Sequence, residues 1–267
     1  MPVLFKYCRS LFAGCHLPSH DHHHHLRVWH YAKDILLELS EKGIQLSSNQ
    51  VSLLMLSVFF HDTGLTKTLD KMHGLESMRI CRDFLDRNPE LFTVDVYDAL
   101  RAIELHDKKE SPAFMNRYTE PDILEILAIS DDADAYGPVG VLRYAEIYLL
   151  RGISYSSLPG MVLKNMFHRF EFLSSRSWVP EMFFEKHKSR YNYAKNFYLE
   201  MEMQQQSGSI YHTNRKILET YMNKIVKDKM DIQKFAGELI KSDNQRIRDF
   251  GISLSCENDS CNYCYSS

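Results

Sequence analysis

Apolar residues recur along most of the chain at intervals of three and four, and strictly alternating apolar/polar stretches are almost absent. That is the period of helices with one buried face, so the pattern predicts an all-α fold. The first clear stripe is Val28, Ala32, Ile35 and Leu39. It follows Pro18-Ser19, where Ser19 is the expected N-cap, and ends at Gly43. Residues 51–60 are apolar nearly all round, which predicts a central helix buried on several sides. Further helices are expected over 73–85, 94–106, 121–133, 139–150, 159–172, 181–204 and 211–227, with shorter pieces up to Phe250. The stretch Gln206-Ser207-Gly208-Ser209 is the best loop-like boundary.

Several polar residues fall on these apolar stripes. His24 lies four residues before Val28 and so points inward with it. His61-Asp62 ends the most apolar helix, Asp131 continues the stripe of Leu124 and Leu127, and His106 continues that of Leu100 and Ile103. A buried carboxylate is costly alone, and several repel one another. A bound cation removes both problems, because imidazole nitrogens and carboxylate oxygens are its ligands. The mixed donor set suits manganese, iron, cobalt or zinc better than calcium. On the pattern alone, the same groups capping helix ends and facing water is the alternative.

The residues around these positions resemble the motifs of the HD superfamily of metal-dependent phosphohydrolases. His20-Asp21-His22-His23-His24-His25-Leu26-Arg27-Val28 is similar to its H-D-x-x-H-x-x-R-V pattern. Phe59-Phe60-His61-Asp62-Thr63-Gly64 resembles its central H-D-x-G turn, and Ser130-Asp131-Asp132-Ala133-Asp134-Ala135 its A-D-x-L-D-A element. His73-Gly74-Leu75-Glu76-Ser77 resembles an H-E-x-x-S element with Gly74 in place of the usual Glu, and Ile103-Glu104-Leu105-His106 an I-x-x-H element. The resemblance implies an HD-type helical bundle over 18–136, with additional C-terminal helices over 137–255 packed on it and a cysteine-containing tail over 256–267. It implies His24, His61, Asp62 and Asp131 as ligands of a divalent ion, with magnesium added to the candidates and one or two ions per chain. His73 and His106 are then outer-shell groups or ligands of a second ion. In the histidine run only His24 has the family register, so His22, His23 and His25 read as bystanders, while His20 and Asp21 fix the start of the helix or reach the edge of the site.

The activity implied is hydrolysis of a phosphomonoester or phosphodiester by a metal-activated water, on a small phosphorylated substrate with a nucleotide as the default class. Asp62, His73 and His106 would be catalytic, and Arg27, Lys67, Lys71 and Lys108 would contact phosphate. Tyr136, Tyr144 and Tyr148 are candidates to stack on a base, though Tyr144 and Tyr148 at helical spacing read more readily as packing. The G-Y-P element of the cyclic-dinucleotide subgroup is absent. Two alternatives on the same scaffold are a di-iron oxygenase using His24, His61, Asp62, His73, His106 and Asp131, and a non-catalytic regulatory protein that binds a nucleotide or metal.

Composition narrows the setting. The 267 residues carry a formal charge of -3, so no global basic field points to nucleic acid or to an anionic membrane. No apolar run of membrane-spanning length occurs, and Lys6 and Arg9 interrupt the only signal-like stretch, before Cys15. Cys8, Cys15 and Cys81 are scattered and read as reduced thiols, so a cytoplasmic location is expected. Cys261 and Cys264, with Cys256 nearby, have the spacing of a weak metal or redox motif. Segments such as residues 141–148 are amphipathic enough to form a substrate mouth or a homodimer seam.

Overall fold

The computed structural model describes residues 1–114, 121–207 and 212–262, with side chains as far as residue 257 in the last stretch. Every regular element among the described residues is helical, so the fold is all-α. The chain divides into two units: Met1–Cys15, His20–Asp134 and Phe170–Lys186 form the first, and His16–Ser19, Ala135–Arg169 and His187–Ser267 the second.

The first unit holds α1 (Pro2–Phe12), α2 (His22–Glu41), α3 (Ser48–Phe60), α4 (His73–Arg87), α5 (Tyr97–Leu105) and α6 (Ile123–Asp134). Helix α3 packs against all five others, which is why its sequence is apolar nearly all round. Its start is set by a reciprocal cap: Ser47 Oγ accepts from the Gln50 amide, and the Gln50 side chain accepts from the Ser47 amide. Helix α2 buries Val28, Ala32, Ile35 and Leu39 as its pattern predicts. Its cap differs from expectation, because the Asp21 carboxylate, not Ser19, accepts from the His23 amide at 2.8 Å. The amide of Ser19 instead donates to Glu146, both of them in the second unit. Gly43, at φ +80°, stands just past the end of α2, in a backbone region that only glycine enters without strain. The segment read in sequence as too interrupted for an export signal is α1, whose Leu4, Cys8 and Phe12 are buried.

Phe170–Lys186 belongs to the first unit and meets there, among others, Glu125, a carboxylate buried in α6. Arg176 Nε and Trp178 Nε1 donate to its two oxygens at 2.9 and 3.0 Å. The Arg176 guanidinium also lies 4.0 Å over the Phe172 ring. Burial pushes the Glu125 carboxyl up, and the Arg176 charge opposes that shift.

The second unit contains α7 (Gly137–Leu150), the first part of α8 (Leu158–Ser174), most of α9 (Glu181–Gln206), α10 (Thr213–Tyr221), α11 (Ile232–Ile240) and α12 (Gln245–Asn262). The helix expected over 211–227 is α10 followed by a π-helical turn, Met222–Lys227. Buried hydroxyls tie this unit together: Tyr221 donates to Glu146 at 2.6 Å and Tyr198 to the Val141 carbonyl at 2.7 Å. Tyr136 and Tyr144 are buried here; the Tyr136 ring lies edge-on to Tyr191, and the Tyr144 hydroxyl donates to Asn165. Cys264 and the side chain of Cys261 lie outside the described residues, as does the Gly208-Ser209 half of the boundary read from sequence. No described helix is long and apolar enough to cross a membrane.

Candidate metal centre

Five helix ends in the first unit deliver the polar residues that the stripes point inward. His24 comes from the first turn of α2, and His61-Asp62 from the turn that closes α3. His73 opens α4, His106 closes α5, and Asp131 lies in the last turn of α6. All six are buried.

Two glycines allow these ends to approach one another. A Cβ on Gly64 would stand 2.0 Å from the His73 carbonyl oxygen, so only glycine lets the turn after His61-Asp62 lie against α4. The Gly64 amide donates to Ser77 Oγ at 2.7 Å, which gives the serine of that motif its role. A Cβ on Gly74 would stand 2.7 Å from the Glu104 carbonyl oxygen. The departure from the usual Glu at this position therefore lets α4 and α5 pack closely, and the His73 and His106 rings lie 5.5 Å apart.

The imidazoles are oriented by their far nitrogens. His61, His73 and His106 each place Nδ1 on the backbone carbonyl three residues earlier, those of Val58, Asp70 and Ile103, at 2.8, 2.9 and 2.8 Å. His24 Nδ1 lies 2.8 Å from Asp134 Oδ2. Carbonyls and carboxylates accept and do not donate, so each Nδ1 carries a proton and each Nε2, when deprotonated, presents a lone pair to the interior.

These Nε2 atoms converge on carboxylate oxygens. Asp62 Oδ2 lies 3.4 Å from His24 Nε2 and 3.7 Å from His61 Nε2. Asp131 Oδ1 lies 3.5 and 3.7 Å from the same two nitrogens, which are themselves 3.0 Å apart. On the other side, Asp62 Oδ1 lies 3.4 Å from His73 Nε2 and 3.3 Å from His106 Nε2. Most of these separations are long for hydrogen bonds. They match ligand atoms around a shared ion, since two bonds of about 2.1 Å meeting at tetrahedral angles separate their donors by about 3.4 Å. His24, His61, Asp62 and Asp131 form one cation-sized group, and Asp62, His73 and His106 a second, with Asp62 common to both.

Electrostatics favour positive charge at the same place. Burial alone would raise the Asp62 carboxyl, yet the surrounding imidazoles, His61 and His106 foremost, hold it well below the usual carboxylate range. Burial would lower His106, but its hydrogen bond to Asp62 and the Asp62 charge push it up to about 9. Burial pushes His61 down, with the neighbouring carboxylates opposing. The end of α6 carries three buried carboxylates, where the helix dipole is itself negative. Lys109 meets Asp132 at 2.6 Å and Arg27 meets Asp134 at 2.8 and 2.9 Å, whereas Asp131 faces the imidazoles of the first group. The donor set fits a bound divalent ion.

The phosphate-binding cations expected from sequence are dispersed. Arg27 is buried, with Nε and one terminal nitrogen on Asp134, so it braces the carboxylate that orients His24. Exposed Lys67 lines a cavity of about 360 Å³ with Thr66, Cys15 and Arg87, and no metal-group residue lines it. Lys71 is exposed two residues before His73, and half-buried Lys108 lies 3.8 Å from Glu104. Asp134 has no role in the sequence motifs, although it stands three residues after Asp131 as Arg27 stands three after His24. His25 reads there as a bystander. His25 is fully buried, its ring 4.8 Å from that of His61, and its Nδ1 donates at 3.1 Å to the Val58 carbonyl that His61 also uses.

An all-helical unit with a buried H…HD…D donor set defines an HD-type protein. The sequence profile of the HD-CE family matches residues 10–164, more than half of the 267 residues, and the chain belongs to that family. No curated protein and no solved structure matches the chain.

Proposed function

We propose that the protein is a metal-dependent phosphohydrolase acting on a small phosphomonoester or phosphodiester, with a nucleotide as the substrate class. The observation that carries this reading is the division of Asp62: one oxygen faces His24 and His61, the other His73 and His106. Asp62 would so serve two divalent ions, the first of them also held by Asp131. When bound, such ions lower the pKa of a water and polarise a phosphoryl oxygen.

The chain's own residues do the rest. His24, His61 and Asp131 would hold the first ion, with Asp134 and Arg27 fixing the His24 ring. His73 and His106 would hold the second through their Nε2 atoms; with a single ion, the same nitrogens would be left to carry a proton to the leaving group. Lys71 and Lys108, each two residues from one of these histidines, supply positive charge on the approach of a phosphate.

The test is elemental analysis of the purified protein combined with an anaerobic phosphate-release screen over nucleotides, cyclic nucleotides and simple phosphoesters. Bound transition metal with turnover is expected; His61→Ala and Asp62→Ala should abolish both while the helical circular dichroism persists. Parent-rate hydrolysis by either variant refutes the assignment. The bridging arrangement also favours one second reading, a di-iron oxygenase, and two irons per chain with a product formed only in oxygen would select it.

A further inference from the structure

The histidine run holds more imidazoles than the buried centre uses. His24 and His25 turn inward, but His22 and His23 stay at the surface with Asp21 at the start of α2. Asp21 is held by its capping role, since Oδ1 accepts the His23 amide at 2.8 Å. That leaves Oδ2 aimed at His22 Nδ1, 3.6 Å away. The His22 and His23 rings lie 4.2 Å apart, and Phe5 of α1 backs His22 edge-on at 5.5 Å. One ligand atom from each of Asp21, His22 and His23 falls within 4.8 Å of the others.

We propose that Asp21, His22 and His23 form a peripheral site for a borderline divalent transition metal such as zinc, nickel, cobalt or copper, sharing no ligand with the buried centre. The Oδ2 to Nδ1 separation is close to that of two donors on one tetrahedral ion. Two imidazoles beside one carboxylate select these metals over magnesium and calcium, which prefer oxygen donors throughout. Partial exposure of Asp21 and His22, at 22% and 19% of the side chain, leaves room for water to complete the coordination. Ion binding there clamps the first turn of α2, whose next residue is His24, and so stiffens the start of the helix that serves the buried centre.

The site is tested in the full-length protein by loading wild type and His22→Gln/His23→Gln with excess zinc, desalting, and counting zinc per chain. The double variant should hold one ion fewer, whatever number the buried centre contributes. Equal stoichiometry overturns the proposal. Should the double variant fail to fold, Asp21→Asn decides: asparagine caps a helix as well as aspartate, so the fold is kept. Its affinity for the weakest-held zinc should fall about tenfold or more, because a neutral amide oxygen replaces a charged carboxylate donor and loss of even an outer partner costs that much. Unchanged affinity overturns the three-donor site. With nickel, broadening of the His22 and His23 ring resonances in wild type is expected, and its absence under saturating nickel counts against the site.

Discussion

Asp134 accepts from two buried donors at once, the Nδ1–H of His24 and the Nε–H and terminal N–H of Arg27. Removing its charge frees the ring whose other nitrogen faces the metal position. Asp134→Asn should therefore weaken metal binding by about 10–100-fold, the usual effect of losing an outer-shell partner. Competition with a chelator of known affinity measures this, and unchanged affinity would show that His24 is oriented by other means. At this scale much was legible. His24, His61, Asp62, His106 and Asp131 extend apolar stripes, and their types are metal donors. His25 was not, because nothing in a run of like residues marks which neighbour turns inward. Asp134 and Arg27 did leave a signal, each three residues past a ligand and thus on the same helix face. Arg27 was nevertheless assigned to phosphate, since a charge in sequence does not show its buried partner.

Helices were readable from period alone, but their closeness depends on positions where side chains are missing. Gly74→Ala would place a methyl group against the Glu104 carbonyl, at 2.7 Å before relaxation. Separating α4 from α5 should cost about 1–3 kcal/mol of stability, as overpacking does. It should also remove metal from the His73 and His106 group before the His24 and His61 group. Denaturant unfolding and zinc stoichiometry report the two effects, and a variant as stable and as fully loaded as the parent would contradict the close approach. Helix α6 yields another test. Arg176→Met strands Glu125, whose side chain is fully buried, and losing one member of a buried pair costs about 3–5 kcal/mol. A loss below 1 kcal/mol in urea unfolding would show the pair to be dispensable. Glu125 and Arg176 stand 51 residues apart, with no periodic signal linking them, so the inclusion of residues 170–186 in the first unit was not legible.

For the whole molecule, a net charge of -3 leaves association with substrate to local groups rather than to a global field. Buried carboxylates and inward lone pairs also mean that an ion binding only the folded state must stabilise it. Saturation to 100 times the dissociation constant adds about 2.7 kcal/mol. Treatment with EDTA followed by desalting should lower the melting temperature, and added manganese or zinc should restore it. Identical melting curves with and without metal would remove the linkage. The motifs made the family legible from a few short stretches, whereas the order in which the chain completes each unit was not, because it depends on distant segments.

That order bears on how the protein is made. Domains generally fold as they emerge from the ribosome. Here α6, which carries Asp131, is synthesised well before Arg176 and Trp178 arrive to neutralise and cover Glu125. Until residues 170–186 have emerged, Glu125 lacks the partners that neutralise and cover it, so the nascent first unit should be less stable than the finished one when Asp131 appears. The same reasoning applies to a fragment ending at residue 164, where the family match stops: it would hold every proposed ligand and still be less stable than the full chain.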